Sequence, residues 1–569
     1  MLYKKLAELY EELDSTSKRL EKTEILSKFF RYLPESDRET LYLLLGNIYP
    51  EYSKKKIGIS NQLTIKAISK ATGINDKEIV NEWKSLGDLG KVGELLTKHK
   101  KQSTLASHVL TTQKVLENLR KLPELEGKGT VDKKLSLIVE LFTSASPIEA
   151  KYLIRTLIGD LRIGIQESTI KEAMASAFFD KDKEAAKELE YAIDKANDLA
   201  EVFDIAKKGK LKDLDKISLE VGKPIKVMLA QKVKTIEEGF NALGKPCAIE
   251  YKYDGFRLLI HKKGNEVILF TRRLENVTKQ FPEVVDYVKK YVEGNSFILD
   301  SEAVGFDEKT KIYKPFQSIS QRIRRKYDIE KLQKELPVEV NVFDIIYYNS
   351  KSLIDEPFEK RNALIKKIVH NQKYKIISAK QIITDSKEKA EDFYKRALKD
   401  NQEGIMMKSL KALYKPGRRV GYMLKMKPEE RDLDLVIVGA EYGTGKRSGW
   451  LSSFILACRD SKTGKFLEIG KMGTGIKEKE EEGMSFHELT EKVKPLIIEE
   501  KGKTVKIKPR IVLSITYQEI QKSPNYSSGF ALRFPRFTSL RPDRSPNDIS
   551  TLEEIKKDFS SQKRNYKYG

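Results

Sequence analysis

Apolar residues recur every three or four positions in the first part of the chain, which is the period of one face of an α-helix. In the opening segment, MLYKKLAELYEELDS, the repeat falls on leucines: Leu2, Leu6, Leu9 and Leu13. The same period returns in VDKKLSLIVELFTSA, EAKYLIRTLIGDLRIG and STIKEAMASAFF. Ser36 and Glu39 have the spacing of a capping box ahead of LYLLLGNIYP, so we expect a helix to begin there. These patterns predict an all-α domain over residues 1–222.

The pattern changes near Gly222 and Pro224, which interrupt the helical period and indicate a linker. Short runs rich in β-branched residues then predict strands, namely EVILF (266–270), SFILD (296–300) and VEVNVFDIIYY (338–348). A helical segment, KEKAEDFYKRALKD (387–400), alternates with these runs. Residues 223–428 are therefore predicted to form an α/β or α+β domain.

Strand-like runs dominate the last part of the chain, residues 429–569. LDLVIVGAEYGTG, SSFILACRD, FLEIGKMGTG and KPRIVLSITYQEI are short, and glycine-containing turns separate them. Many short strands with such turns are typical of a small Greek-key barrel. The tail TLEEIKKDFSSQKRNYKYG is predicted to be a short basic helix with a frayed end.

Length and charge extend this interpretation. A chain of 569 residues is too long for one hydrophobic core. Its formal net charge of +23 creates a positive field, which attracts polyanions and favours nucleic acid over a membrane surface as partner. No run of about 18 apolar residues occurs, and the N-terminus lacks the apolar core of a signal peptide. Two distant cysteines, Cys247 and Cys458, exclude a disulfide framework and a CxxC zinc site, so a reducing intracellular compartment is expected.

One lysine, Lys252, stands in an unusual setting, EYKYDGFR. A lysine at its reference pKa of ~10.4 is protonated at neutral pH and cannot attack an electrophile. Burial and nearby positive charge favour the neutral amine, and Tyr251, Tyr253 and Phe256 can supply apolar walls beside the cation Arg257. Read alone, the segment is more typical of a surface lysine whose stem lies on aromatic neighbours.

Six further motifs follow Lys252 in a fixed order. They are FTRRLENVT with Arg272, ILDSEAVGFD with Glu302, VFDIIYYN with Phe343, EGIMMKSL with Glu403 and Lys408, YKPGRRVGYMLKMK with Arg419, Lys425 and Lys427, and RFPRFTSLRPD with Arg541 and Asp543. With Lys-x-Asp-Gly-x-Arg at their head, these motifs resemble those of the covalent nucleotidyltransferases. The resemblance is closest to the ATP-dependent DNA ligases of archaea and eukaryotes, and it extends into AKYLIRTLIGDLRIGI and KPIKVMLAQ.

This resemblance implies three domains: a helical DNA-binding domain (1–222), an α+β adenylation domain (223–428) and a C-terminal OB-fold barrel (429–569). It implies that Lys252 attacks the α-phosphate of ATP and forms a lysyl-AMP intermediate. The AMP is then passed to the 5′-phosphate of a nick, and a 3′-hydroxyl displaces it, during replication, recombination and repair. The expected cofactors are ATP and Mg²⁺, with Mn²⁺ as the alternative ion.

The resemblance also implies individual roles. Glu250 contacts the purine edge, Phe343 stacks on adenine, and Glu302 holds the ribose and joins Glu403 at the metal. Phosphates need cations because charge develops on them during transfer. The candidates are Arg257, Arg272, Arg419, Lys425, Lys427 and Lys408. Arg541 and Asp543 are expected to orient pyrophosphate when the barrel closes over ATP.

Two positions depart from the family pattern. Arg544 stands where lysine usually follows the aspartate, and a planar guanidinium is not equivalent to an ammonium group. Met423 replaces a common tryptophan, and Tyr422 beside it is the residue that could compensate. Adenylation of Lys252 should not depend on the departure at Met423, whereas the role of Arg544 stays open.

Partners follow from the same resemblance: nicked duplex DNA, and no membrane. Gln102 and Leu105 have the spacing of a sliding-clamp motif but lack its aromatic pair, so a polar loop is an equal interpretation. A monomer in the cytoplasm, associated with the nucleoid, is expected. An RNA ligase or capping enzyme and a non-catalytic DNA-binding scaffold are the alternatives, and the helical N-terminal part argues against a capping enzyme.

Overall fold

The computed structural model divides into a helical part, a two-sheet part and a barrel-like part. It describes residues 1–53, 57–98, 109–125, 127, 129–180, 182–209, 211–325, 327–428, 432–443, 447, 449–478 and 484–565. Of Gln317, Arg324, Arg419 and residues 562–565 only the backbone is described.

Helices build the described residues of the N-terminal part, apart from one isolated bridge between Leu2 and Thr111, and their apolar faces share one core. They are α1 (Tyr3–Asp14), α2 (Arg19–Tyr32), α3 (Thr40–Leu44), α4 (Asn61–Thr72), α5 (Asp76–Leu86), α6 (Leu89–Lys98), α7 (Thr112–Lys121), α8 (Thr130–Ser144), α9 (Pro147–Ile158), α10 (Glu167–Phe178), α11 (Lys183–Ala196), α12 (Leu199–Lys207) and α13 (Leu211–Leu214). The leucine repeat of the first segment is confirmed for Leu6, Leu9 and Leu13, which are buried along α1, but not for Leu2, which precedes the helix and is exposed. No helix in the described part of the chain has the length and apolar character needed to cross a bilayer.

The predicted capping box at Ser36 and Glu39 is wrong. The Glu39 side chain makes no cap hydrogen bond and instead pairs with Arg120 at 2.9 Å, a partner distant in sequence. A capping box does occur at α9, where Ser146 and Glu149 satisfy each other's backbone and side-chain groups.

Two β-sheets with helices on their outer faces form the central part. Its strands are β1 (Leu229–Lys232), β2 (Cys247–Lys252), β3 (Phe256–Lys263), β4 (Glu266–Thr271), β5 (Ser296–Gly305), β6 (Val338–Tyr348), β7 (Lys351–Ser352), β8 (Ile376–Ser378), β9 (Gln381–Thr384), β10 (Gly404–Lys408) and β11 (Arg419–Met426). Its helices are α14 (Ile236–Leu243), α15 (Pro282–Tyr291), α16 (Phe316–Arg324), α17 (Ile329–Glu335), α18 (Phe358–Ile368) and α19 (Lys387–Lys399).

The strand order places the two sheets so that a cavity forms between them. One sheet runs β1-β11-β10-β2-β9, and the other runs β4-β3-β5-β6-β7 with β8 paired to β6. Most of the pairings are antiparallel, so this part is α+β. The chain passes from the first sheet to the second between Lys252, the last residue of β2, and Phe256, the first of β3.

Strands dominate the C-terminal part, as predicted. They are β12 (Asp432–Tyr442), β13 (Leu451–Arg459), β14 (Phe466–Met472), β15 (Ile497–Lys501), β16 (Thr504–Ile507), β17 (Val512–Thr516), β18 (Glu519–Lys522), β19 (Phe530–Arg533) and β20 (Arg536–Leu540), with helices α20 (Phe486–Val493) and α21 (Leu552–Asn565). The central sheet runs β14-β13-β12-β16-β15, and β17 joins β12 to β20. Among the described residues these ladders do not close into a complete barrel, and a single bridge between Thr474 and Arg536 connects β14's end to β20.

Polar contacts attach the helical part to the central part. The Tyr191 hydroxyl donates to Asp355 at 2.6 Å, and Arg418 forms an ion pair with Glu190 at 2.7 Å. The Asn197 amide donates to the carbonyl of Pro224 at 2.8 Å. These contacts hold the loop before β11 and the linker after Gly222 against α11.

Candidate active site

A cavity of about 1140 Å³ lies between the two central sheets. Most of the residues singled out in the sequence line it: Glu250, Lys252, Arg257, Arg272, Glu302, Phe343, Glu403, Lys408 and Lys425. They come from strands that are far apart in sequence and adjacent in space. Counting the Lys252 segment as the first, the structure therefore brings residues of all seven motifs to one site, the seventh through Arg533 and Phe534 only.

Gly255, three residues after Lys252, allows the tight turn that places Lys252 at this cavity. The chain must turn tightly between β2 and β3, and a Cβ atom at Gly255 would collide with the carbonyl oxygen of Ala303 on β5. Lys252 is half-buried, and its Nζ lies 2.6 Å from Oε2 of Glu403. The backbone N–H of Glu403 also donates to the carbonyl of Lys252 at 2.9 Å, so the two residues are held side by side.

Glu403 is shared by two lysines. Lys252 and Lys427 both approach its Oε2, as ion pairs rather than as aligned hydrogen bonds. Burial opposes ionisation here, yet the two ammonium groups hold the pKa of Glu403 below its usual value. Gly404 permits this arrangement, because its φ of 144° is unfavourable for other residues and a Cβ there would collide with the Met426 carbonyl.

The pKa of Glu302 shifts in the opposite direction from that of Glu403. Burial raises its pKa to about 8, Lys252 and Arg257 oppose this shift, and the nearby Glu403 carboxylate adds to it. Two carboxylates that face one cavity and repel each other are suitable ligands for a hard divalent cation. The side chains of Glu302 and Glu403 therefore fit the metal ion that the resemblance implies.

A closed ring of buried groups fixes Arg257. Its Nε donates to Asp300 at 2.8 Å and its Nη1 donates to the Met228 carbonyl at 2.7 Å. The Tyr414 hydroxyl donates to Asp300 at 2.8 Å and accepts from the Met228 N–H at 3.3 Å. The guanidinium carbon lies 5.3 Å from the centroid of the Phe343 ring. Arg257 is thus presented to the cavity in one orientation.

The inner end of the cavity has an aromatic face and a polar edge. Phe343 on β6 supplies the face, and Glu250 on β2 supplies a carboxylate that is 1% exposed. Lys408 pairs with Glu250 at 2.7 Å and lies 4.9 Å from the Phe343 centroid. A flat ring and a buried acceptor are the groups that a purine base requires.

Cations and two aromatic residues surround the outer end. Arg272, Arg325 and Lys425 line it from the two sheets and α16, and Arg533 and Phe534 reach it from the C-terminal part. Arg533 lies 6.0 Å from the Phe316 ring, and Phe534 has a φ of 51° that turns the chain sharply there. This end can accept a polyanionic substrate.

Several predicted residues are not brought to the cavity. Arg541 and Asp543 pair with each other at 2.8 Å, and Arg541 also pairs with Asp434 at 3.0 Å. Arg544 lies 3.5 Å from the same Asp434. The side chain of Arg419 and the residues Gln102 and Leu105 lie outside the described part.

Three residues at the site were missed in the sequence, of which Asp300 and Tyr414 are buried. Asp300 and Tyr414 stand inside the motifs ILDSEAVGFD and YKPGRRVGYMLKMK, so their positions carried a signal that was not used. Gln381, which donates to Glu250 at 2.9 Å, stands in no motif. Asp300 and Tyr414 belong to the ring that holds Arg257, and Gln381 contacts Glu250.

Comparisons with known proteins agree with this geometry. Three family models match the chain: "DNA ligase N terminus" at residues 2–175, "ATP dependent DNA ligase domain" at 227–427 and "ATP dependent DNA ligase C terminal region" at 447–544. A protein named "DNA ligase" from Nanoarchaeum equitans is 46% identical over 99% of both chains. The DNA ligase of Thermococcus onnurineus is 40% identical, also over 99% of both chains.

A solved structure named "Pmar-Lig_PreS3" has the same overall fold. It aligns with a TM-score of 0.56 and 19% identity, covering 94% of this chain and 99% of that one. The likeness extends over the helical, two-sheet and barrel-like parts together.

Proposed function

The chain belongs to the ATP-dependent DNA ligases of the archaeal type, and from this membership we propose how its residues share the work of sealing a nick. The observation that carries the proposal is the position of Lys252, which lies beside Glu403 in the cavity that Phe343 also lines. A DNA ligase of this type seals nicks through a lysyl-AMP intermediate and a DNA-adenylate.

We assign Lys252 as the nucleophile. Its ammonium group donates its proton, and the free amine attacks the α-phosphorus of ATP as the bond to pyrophosphate breaks. The proton passes to solvent, and Glu403, whose Oε2 lies 2.6 Å from Nζ, holds the side chain of Lys252 in place. The P–N bond that forms conserves the energy of ATP until the 5′-phosphate of DNA takes over the AMP.

The remaining residues stabilise charge and hold the nucleotide. We propose that Arg257, Arg272, Arg419, Lys425 and Lys427 neutralise the phosphates, and that Glu250 and Phe343 bind the base. Glu302 and Glu403 would hold a divalent cation, Mg²⁺ or Mn²⁺, which supplies positive charge near the α-phosphate. The ribose would lie beside Glu302.

The domain boundaries are also proposals, at 222/223 and 428/429. We assign the first domain to nicked duplex DNA, gripped mainly through its phosphates. Arg541 and Asp543 would orient pyrophosphate after the barrel turns, since here they pair outside the cavity. We also propose that a sliding clamp binds through Gln102 and Leu105. The protein is proposed to be a monomer that lies with the nucleoid in the cytoplasm.

The experiment that tests the proposal is intact mass spectrometry after incubation with ATP and Mg²⁺. We expect a mass increase of one AMP, which disappears when pyrophosphate is added because the step reverses. A nicked duplex with a 5′-phosphate should also be sealed, whereas the same nick in an RNA duplex should not. Absence of the AMP adduct on correctly folded protein would remove the proposal.

Metal binding is expected to depend on pH because of Glu302. Its pKa of about 8 means that the metal must displace a proton at lower pH, so the apparent affinity for Mn²⁺ should rise by up to about tenfold per pH unit below pH 8 and level off above it. The stability of the metal-free protein depends on pH in the opposite direction. Because folding raises the pKa of Glu302, the free energy of unfolding falls as pH rises from the pKa of an unfolded glutamate toward 8.

Electron paramagnetic resonance of Mn²⁺ bound in the absence of ATP measures this affinity without turnover. Glu302→Gln should bind Mn²⁺ more weakly at every pH, with a flatter profile. A wild-type affinity that stays constant between pH 6.5 and 8.5 would contradict the role of Glu302.

A further inference from the structure

The base-binding end of the cavity contains a polar chain that runs behind Glu250. Gln381 donates from Nε2 to Oε1 of Glu250 at 2.9 Å, and the Lys366 ammonium donates to Oε1 of Gln381 at 2.9 Å. Because the Gln381 carbonyl accepts from an ammonium, its amide nitrogen must face Glu250. Gln381 does not line the cavity, so it can act on a nucleotide only through Glu250.

The strand register places these groups on one face of the sheet. Glu250 and Gln381 are directly opposite each other on β2 and β9. Lys408 on β10 lies diagonally across from Glu250, since β10 pairs Met406 with Glu250. Cross-strand neighbours on both sides therefore hold the carboxylate, and its two oxygens each take one donor.

Some groups around Glu250 favour its ionised form and others oppose it. Burial raises its pKa, and Lys408 and Gln381 act against this shift, while Asp344 adds to it. Asp344 is itself paired with Arg361 at 2.7 Å. Tyr253 is a further titratable group that faces Glu250.

We propose that Gln381, together with Lys408, keeps Glu250 an acceptor-only carboxylate and thereby makes the site select 6-amino purine nucleotides over 6-oxo purine nucleotides. An ionised carboxylate can only accept hydrogen bonds, which suits the amino group of adenine and repels the carbonyl oxygen of hypoxanthine or guanine. A protonated Glu250 can donate, and it would accept the 6-oxo base. Gln381 is a positioning residue in this scheme, and the inference rests on the function proposed above.

The test compares the rates of covalent labelling by ATP and by ITP, which differ at position 6 and at the adjacent ring nitrogen. In Gln381→Met, which removes the donor and preserves volume, the ratio of kcat/KM for ATP to that for ITP should fall by about 10- to 100-fold. Gln381→Glu places a second carboxylate beside Glu250, so the ratio should fall further and depend more steeply on pH. Gln113→Met, which removes a similar donor to Glu117 in the helical domain, should leave the ratio unchanged.

A purely structural role for Gln381 would slow labelling by both nucleotides equally, and an unchanged ratio would overturn the inference. If Gln381→Met does not fold, Gln381→Asn decides: its shorter side chain keeps an amide but moves the donor away from Glu250, so the ratio should fall as in Gln381→Met, and an unchanged ratio would overturn the inference. Failure of the proposed function is distinguishable, because the wild-type protein would then take no label from ATP at all.

Discussion

Replacing Lys252 by alanine is expected to abolish the covalent attachment of AMP, with the labelling rate falling by at least ~10³-fold. The reason is chemical, since the amine that forms the P–N bond is removed. Among the described residues Lys427 also pairs with Glu403, but it follows β11 rather than ending β2. Intact mass spectrometry and labelling with α-labelled ATP both measure the adduct. The control is Lys395→Ala, an exposed lysine of α19, which should be labelled like the wild-type protein.

A second substrate separates the loss of the nucleophile from a general loss of the site. Lys252 carries AMP only between ATP and DNA, so a nick that already bears AMP on its 5′-phosphate bypasses it. Lys252→Ala should therefore retain sealing of such a pre-adenylated nick, while sealing of an ordinary nick with ATP is lost. Equal loss on both substrates would mean that Lys252 shapes the site rather than serving as the nucleophile. An AMP adduct on Lys252→Ala, carried by Lys427 or another residue, would assign the nucleophile elsewhere.

The local elements of this fold were predictable because their causes are local. Strand β6 coincides with the run VEVNVFDIIYY, and α19 begins and ends within a residue of the segment KEKAEDFYKRALKD. The capping box at Ser36 and Glu39 fails because a tertiary partner, Arg120, competes for the glutamate. Spacing within a segment cannot reveal a competitor that is 81 residues away.

The site was predictable in its members but not in their pairing. Motif order identifies Lys252 and Glu403 as residues of one cavity. The pairing of Glu403 with both Lys252 and Lys427 depends on how β2, β10 and β11 meet. The position of Arg541 depends on the placement of a whole domain. Its ion pairs with Asp434 and Asp543 lie within the C-terminal part, so they would move with that part and do not bring Arg541 to the cavity.

Asp300→Asn is expected to have the second largest effect, on stability and on adenylation together. Asp300 is fully buried and forms a two-pronged ion pair with Arg257, so removing its charge leaves a buried guanidinium without its partner. Breaking such a pair costs about 3–5 kcal/mol of unfolding free energy. Calorimetry of the central domain measures this loss, and the matched control is Glu237→Gln, whose surface pair with Lys387 is worth at most ~1 kcal/mol.

Adenylation by Asp300→Asn should fall by about 10²-fold, because Arg257 loses the ring that orients it and a displaced catalytic group is costly. The double variant Arg257→Met with Asp300→Leu distinguishes the two effects. Apolar side chains of similar size can replace a buried ion pair without loss of stability, so much of the unfolding free energy should return. AMP attachment should remain lost, since the phosphate-binding cation is absent. If instead AMP attachment returned together with stability, Arg257 would be a structural residue, and the ring formed with Tyr414 and Met228 would serve the fold rather than the chemistry.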